Sequence, residues 1–161
     1  MSDPLAYLLT WTCYGTWLHG DDRGSVDDEH RTPGAPFLPP DAIRNRAEIK
    51  QLRHPPVELK GPARQIVADT IRAHRERRNW DLLALNVRTN HVHAVLACGL
   101  HADGALRELK AWTTRRLREA GYVPREAPVW THHGSTRYLW KQRSVNAAVE
   151  YVAEHQGHDL R

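Results

Sequence analysis

Long hydrophobic runs are absent from this sequence: nowhere do apolar residues approach the ~20 in succession that a membrane-spanning helix needs, which excludes membrane insertion. The opening residues, MSDPLAYLL, carry no basic stretch ahead of a long apolar run, so no secretory leader is expected and the chain reads as cytoplasmic. Cysteine is scarce. Cys13 and Cys98 lie in apolar surroundings without metal-type spacing, which excludes a disulfide scaffold and leaves reduced structural thiols as the expectation. Internal repeats and low-complexity segments are also lacking. The remaining composition, 161 residues with 40% hydrophobic and 26% charged, is that of one soluble domain with a sizeable core.

What the sequence holds in excess is positive charge, histidine and tryptophan: a formal charge of +4, with 11 His and 6 Trp. The charge is unevenly placed. Residues 60–88 hold seven Lys/Arg against three acids and residues 103–143 hold nine against four, whereas residues 19–59 hold six against eight. Such asymmetry points toward a polyanion such as nucleic acid, although solvated helix faces produce it too.

Residues 7–14 alternate, with Tyr7, Leu9, Trp11 and Cys13 on one face and Leu8, Thr10 and Thr12 on the other, the pattern of a central strand. Residues 15–61 are rich in Gly, Pro and charge, and read as a surface insert with one short helical possibility at 42–52. Gly61-Pro62 opens a helix that ends near Asn79 behind a cluster of arginines. Two alternating runs, 82–87 and 91–96, flank a turn at Arg88-Thr89-Asn90 and predict a β-hairpin. A second helix is expected from about Gly104 to Ala120, stopped by Gly121, with Leu106, Leu109, Thr113 and Leu117 inward and Arg107, Lys110, Thr114 and Arg118 outward. A short strand at 136–140 follows. Ser144 is expected to cap a last helix with Val145, Ala148, Val149, Val152 and Ala153 as its apolar stripe. The order predicts an α+β fold: a ferredoxin-like antiparallel sheet with helices packed mainly on one face, and one domain over 1–161 with an insert at about 15–61.

The sharpest local signal is NHVHAVLA, residues 90–97. On a strand, His91 and His93 share one face while Val92 turns into the core, so two imidazoles can meet one ion. Paired surface histidines are the plain alternative. A histidine-triad nucleotide hydrolase would need a third histidine two residues on, where Val95 stands. A two-histidine site needs another ligand, and the last helix offers Tyr151 and His155 four residues apart on one edge, with Gln156 beside them. Buried tyrosines are more often structural than reactive. The acidic run HGDDRGSVDDEH lacks the aspartate spacing and closing Glu of a calcium loop, and reads as surface.

In this order, HVH on a strand, LRELKAWTTRRLREAG, VWTHHGSTRYLWKQ and AVEYVAEHQG resemble the single-tyrosine HUH transposases, and LTWTCYGTWLHGDDRGSVD is similar to the openings of insertion-sequence and REP-associated members. The resemblance covers nearly the whole chain. It implies a metal-dependent single-strand DNA transesterase, with His91 and His93 as metal ligands, Tyr151 as nucleophile and Mg²⁺ or Mn²⁺ as cofactor. The implied product is a 5′-phosphotyrosine with a free 3′-OH, which conserves the bond energy for rejoining. Tyrosine is a weak nucleophile at its ordinary pKa of ~10, so the site must assist it. The family places Gln or Asn four residues after the tyrosine; here His155 has the spacing and Gln156 the amide, and both stay candidates for third ligand.

The implied partners are single-stranded DNA or DNA hairpins at element ends, with a homodimer as one possible assembly. Arg107, Lys110, Arg115, Arg116, Arg118, Arg137, Lys141 and Arg143 are the candidate phosphate contacts, and Trp112, Trp130, Tyr138 and Trp140 candidate stacking groups or core. A regulatory or domesticated DNA-binding protein without cleavage activity is the alternative on the same fold. Relaxase or replication-initiator relatives carry extra domains that 161 residues do not hold.

Overall fold

The structure is a computed structural model, and it describes residues 2–16 and 52–154. Their elements run β1 (Ala6–Thr12), α1 (Gly61–Arg78), β2 (Asp81–Val87), β3 (His91–Ala97), α2 (Ala102–Glu119), β4 (Ser135–Leu139) and α3 (Gln142–Glu154). The strands form one sheet in the order β2-β3-β1-β4, each pair antiparallel. This is the split βαβ arrangement of the ferredoxin-like class, with β1 central as its alternation predicts.

The two faces of the sheet are built differently. Tyr7, Leu9 and Trp11 of β1, with Cys13 just beyond it, join Val92, Ala94 and Leu96 of β3 beneath α1 and α2, in a core that takes in Ala63, Val67, Ile71, Leu109, Leu117 and Trp130. The opposite face carries a smaller cluster in which Val95 and Leu139 meet Val145, Ala148 and Val152 of α3. Two helices therefore cover one face and the third lies on the other. Trp130 is core: its ring stands edge-on to Trp11 and its indole N–H donates to Thr113 Oγ1 at 3.0 Å. Both cysteines are free thiols.

Local chemistry explains the element ends. Pro62 occupies the first turn of α1, and Asn79 adopts the left-handed conformation that returns its N–H to Arg75 and Glu76 carbonyls. Helix α2 begins at Ala102, earlier than the Gly104 expected, because His101 caps it by accepting from the Asp103 amide. Ser144 does not cap α3. The helix starts at Gln142, and the amides of Ser144 and Val145 already bond the carbonyl of Lys141.

The end of the stretch read as a surface insert is packed: Leu59 is buried, and the amides of Val57 and Leu59 bond the carbonyls of Tyr14 and Thr89. Gly15 is required here. Its φ is +85°, and a Cβ would meet the Pro56 backbone at 2.8 Å. The helical possibility at 42–52, save its last residue, and the acidic run from His19 lie outside the described residues.

Candidate active site

One row of residues crosses the sheet on the face that α3 covers. Ser135 of β4 pairs with Thr10 of β1, Thr10 with His93 of β3, and His93 with Asn86 of β2. Because side chains of paired residues share a face, these four polar groups stand side by side. The next row, Arg137, Leu8, Val95 and Ala84, is mostly apolar, and α3 seats its stripe of Val145, Ala148 and Val152 beside it. The helix thereby runs over apolar ground and ends at the polar row.

His91 and His93 project from β3 toward this region with ring centroids 4.8 Å apart. Asn90 Oδ1 lies 2.6 Å from His91 Nδ1, and Thr10 Oγ1 lies 2.7 Å from His93 Nδ1. With the amide oxygen as acceptor, it is the Nδ1-protonated tautomer of His91 that makes this bond, and Nε2 would then be the nitrogen offered to an ion. Thr10 imposes the same choice on His93 when its hydroxyl accepts from Nδ1. Imidazoles tied at Nδ1 by an oxygen are the usual arrangement of metal-ligating histidines, and the pair suits a divalent ion. Among the described residues no group of three or more His, Cys, Asp or Glu gathers around a common point, so an ion held by His91 and His93 would need a further ligand. His155 and Gln156 both lie outside the described residues.

Tyr151 reaches the same place from α3. Its ring lies 5.7 Å from that of His93, nearly perpendicular, and 43% of its surface is exposed. His93 and Tyr151 line an open cleft of about 690 Å³ together with Thr10, Ser135, Arg137, Arg143 and Ser144. Two guanidinium groups, the His93 imidazole and a phenol thus converge on one exposed depression, with the His91 ring beside that of His93.

The other basic candidates are distributed differently. Arg107, Lys110, Arg115, Arg116 and Arg118 belong to α2, on the opposite side of the sheet. Lys110 donates to the carbonyls of Thr131 and His132, and its partial burial lowers its pKa. Arg118 donates to the Ala127 carbonyl. Arg115 and Arg116 both pair with Glu119, whose carboxyl they hold below its usual pKa. Arg107 lines a second cleft with Lys110, His132 and His133. Lys141 is exposed just before α3. Trp112 lies beneath the guanidinium groups of Arg77, Arg115 and Arg116, whereas Trp140 and Tyr138 are exposed at the β4 edge.

Nothing in the sequence singles out Thr10 or Asn90. The one available signal is alternation, which puts Thr10 on the strand face opposite Tyr7, Leu9 and Trp11.

No family model matches this chain, and no curated protein is similar to it in sequence. Among solved structures it is similar to a REP-associated tyrosine transposase bound to a REP hairpin, with a TM-score of 0.53 and 11% identity over 94% of this chain. The match spans 66% of that protein's length. It is also similar to "a putative transposase" from Deinococcus radiodurans R1, with a TM-score of 0.53 and 15% identity over 98% of this chain and 95% of that one. At these identities the likeness is one of fold, and the chain has the α+β fold of tyrosine transposases.

Proposed function

We propose that this chain is a single-tyrosine DNA transposase that cuts and rejoins single-stranded DNA beside a folded end, working in the cytoplasm. The observation that carries the reading is the meeting of His93 and Tyr151 at one cleft, from two elements far apart in sequence, with the His91 ring next to that of His93. Arg137 and Arg143 line that cleft and supply the positive charge a phosphodiester requires.

His91 and His93 would hold a divalent ion, Mg²⁺ or Mn²⁺, with His155 or Gln156 as third ligand. When bound, the ion draws charge from the phosphate oxygens. Arg137 and Arg143 orient the phosphate so that the Tyr151 oxygen faces phosphorus in line with the 3′-oxygen. The Tyr151 Oη–P bond forms as the P–O3′ bond breaks. The phenol proton passes to solvent, which reaches Tyr151, and the departing 3′-oxygen takes up a proton. The reverse attack by a 3′-OH rejoins the strand and frees the tyrosine.

Incubation with a pool of hairpin-bearing single-stranded oligonucleotides and Mn²⁺ tests this. A covalent protein–DNA adduct is expected from the wild type and not from Tyr151→Phe or His93→Ala. Equal cleavage by Tyr151→Phe removes the nucleophile assignment. Tight hairpin binding without any adduct makes the chain a DNA-binding regulator instead.

A further inference from the structure

Asn86 is a polar residue in a place the chemistry above does not use. It is 1% exposed, near the end of β2, directly across from His93. Its amide nitrogen donates to the carbonyl of Val152 at 3.1 Å. Its amide oxygen is buried with no hydrogen-bond partner among the described residues.

The bond to Val152 has a clear physical meaning. Val152 lies in the last described turn of α3, which runs to Glu154, and carbonyls near a helix end commonly take partners from outside the helix. Most helix ends meet this need with a glycine turn, a nearby cation or water. No basic residue occupies the last turn of α3. A side chain from the sheet satisfies the carbonyl instead, and in doing so fixes the rotation and height of the last turn relative to β2 and β3.

That turn carries the reacting group. Tyr151 immediately precedes Val152 and touches His93, and His93 is the cross-strand neighbour of Asn86. These four links close a loop: Asn86 to the helix end, the helix end to Tyr151, Tyr151 to His93, and His93 back to Asn86 through the sheet. Hydrophobic packing of Val145, Ala148 and Val152 fixes the helix against the sheet but discriminates poorly against a small slide along it. A directed hydrogen bond to one carbonyl does discriminate.

We propose that Asn86 is a positioning residue: it registers the last described turn of α3 on the sheet, so that the Tyr151 hydroxyl meets the His91–His93 pair in one fixed geometry. A leucine would fill the same space without a buried amide oxygen, so packing alone gives no reason for asparagine here. The role in cleavage rests on the transposase reading; the tether itself does not.

The test compares the full-length wild type with Asn86→Leu, which matches the volume without the donor, and Asn86→Asp, which keeps the shape but sets an oxygen against the Val152 carbonyl. Amide hydrogen exchange in residues 150–154 is expected to rise about 10-fold or more in both variants, with β1 exchange unchanged. With Mn²⁺ and saturating hairpin DNA, the single-turnover rate of adduct formation is expected to fall about 100-fold while hairpin affinity stays within about twofold. Unchanged exchange at 150–154 overturns the tether. Raised exchange with an unchanged rate overturns the positioning role, as does a joint loss of rate, affinity and β1 protection, which marks general loosening. Should the wild type form no adduct, the transposase reading fails, and the exchange data alone decide whether Asn86 registers the helix.

Discussion

His93 and Tyr151 stand ring against ring, centroids 5.7 Å apart with an interplanar angle of 77°. One comes from an inner strand and the other from the helix that crosses the sheet's second face, so the contact records how α3 is seated. His93 is held from its other side by Thr10, and is only 8% exposed, whereas Tyr151 leans into solvent. A rigid imidazole beside an accessible phenol is the arrangement that the proposed attack of Tyr151 on a DNA strand would require.

Replacing Tyr151 by Phe removes the hydroxyl of a partly exposed side chain and leaves the ring contact, so stability is expected to change by no more than about 1–2 kcal/mol. Adduct formation is expected to disappear, while hairpin affinity is retained within about threefold, since a single hydroxyl contributes about 1 kcal/mol or less to binding. Denaturing electrophoresis and thermal unfolding of the same preparation separate the two quantities. A large drop in melting temperature would assign Tyr151 a structural role.

Thr10 offers a way to weaken the proposed ion site without replacing either histidine. Thr10→Val keeps the branched shape on β1 but removes the oxygen beside His93 Nδ1. Loss of such an oxygen typically lowers metal affinity by about 10- to 100-fold, which titration of Mn²⁺ reads directly. Wild-type affinity in Thr10→Val would show that His93 needs no orienting partner.

Gly134 probes the same strand by another route. A Cβ there would come within 2.8 Å of Leu106 Cδ2 and 2.9 Å of the Thr10 carbonyl. Leucine can turn aside, but the Thr10 backbone is fixed by pairing on both sides. Gly134→Ala is expected to cost about 1–3 kcal/mol in urea unfolding and to reduce Mn²⁺ affinity through displaced Thr10. A neutral effect would mean that the β4 end moves independently of β1.

Much of this arrangement is legible in the sequence. The alternation of His91-Val92-His93 gives its facing, and the stripe of α3 puts Tyr151 on an edge of the buried face. Asn86, Thr10 and Asn90 are not legible in the same way. The roles of Asn86 and Thr10 arise from cross-strand register and from a helix end reaching the sheet, and that of Asn90 from the turn that sets its amide beside its neighbour His91; none follows from local periodicity. The basic residues show the same limit: Arg137 and Arg107 read alike as exposed cations, yet β4 delivers one to the cleft and α2 carries the other to the far face.

That separation can be measured. Arg137→Ala and Arg143→Ala are each expected to weaken hairpin binding and to lower the slope of log affinity against log salt by about 1. Arg118→Ala is expected instead to lower stability by about 1–3 kcal/mol, because it strips the Ala127 carbonyl of a charged donor. Lys110→Ala should behave like Arg118→Ala, through the carbonyls of Thr131 and His132. Equal salt slopes for Arg107→Ala and Arg137→Ala would place DNA on both faces.

Burial of Cys13 under the larger core pushes its thiol up to about 12 from 9.0, with the Glu58 carboxylate adding to the shift. The folded protein therefore keeps this proton where the unfolded chain has released it. The stabilisation is complete below pH 9.0 and is lost as pH rises from there toward about 12. Across that window the unfolding free energy of the wild type is expected to fall more steeply than that of Cys13→Ala, by up to ~1.4 kcal/mol per pH unit. The variant is less stable at pH 8 because it leaves a cavity, so the slope and not the absolute value is the readout. Cys98, whose pKa is also raised by burial, leaves a residual slope in both proteins. Parallel curves from urea unfolding would mean that the thiol at residue 13 meets solvent before the fold is lost.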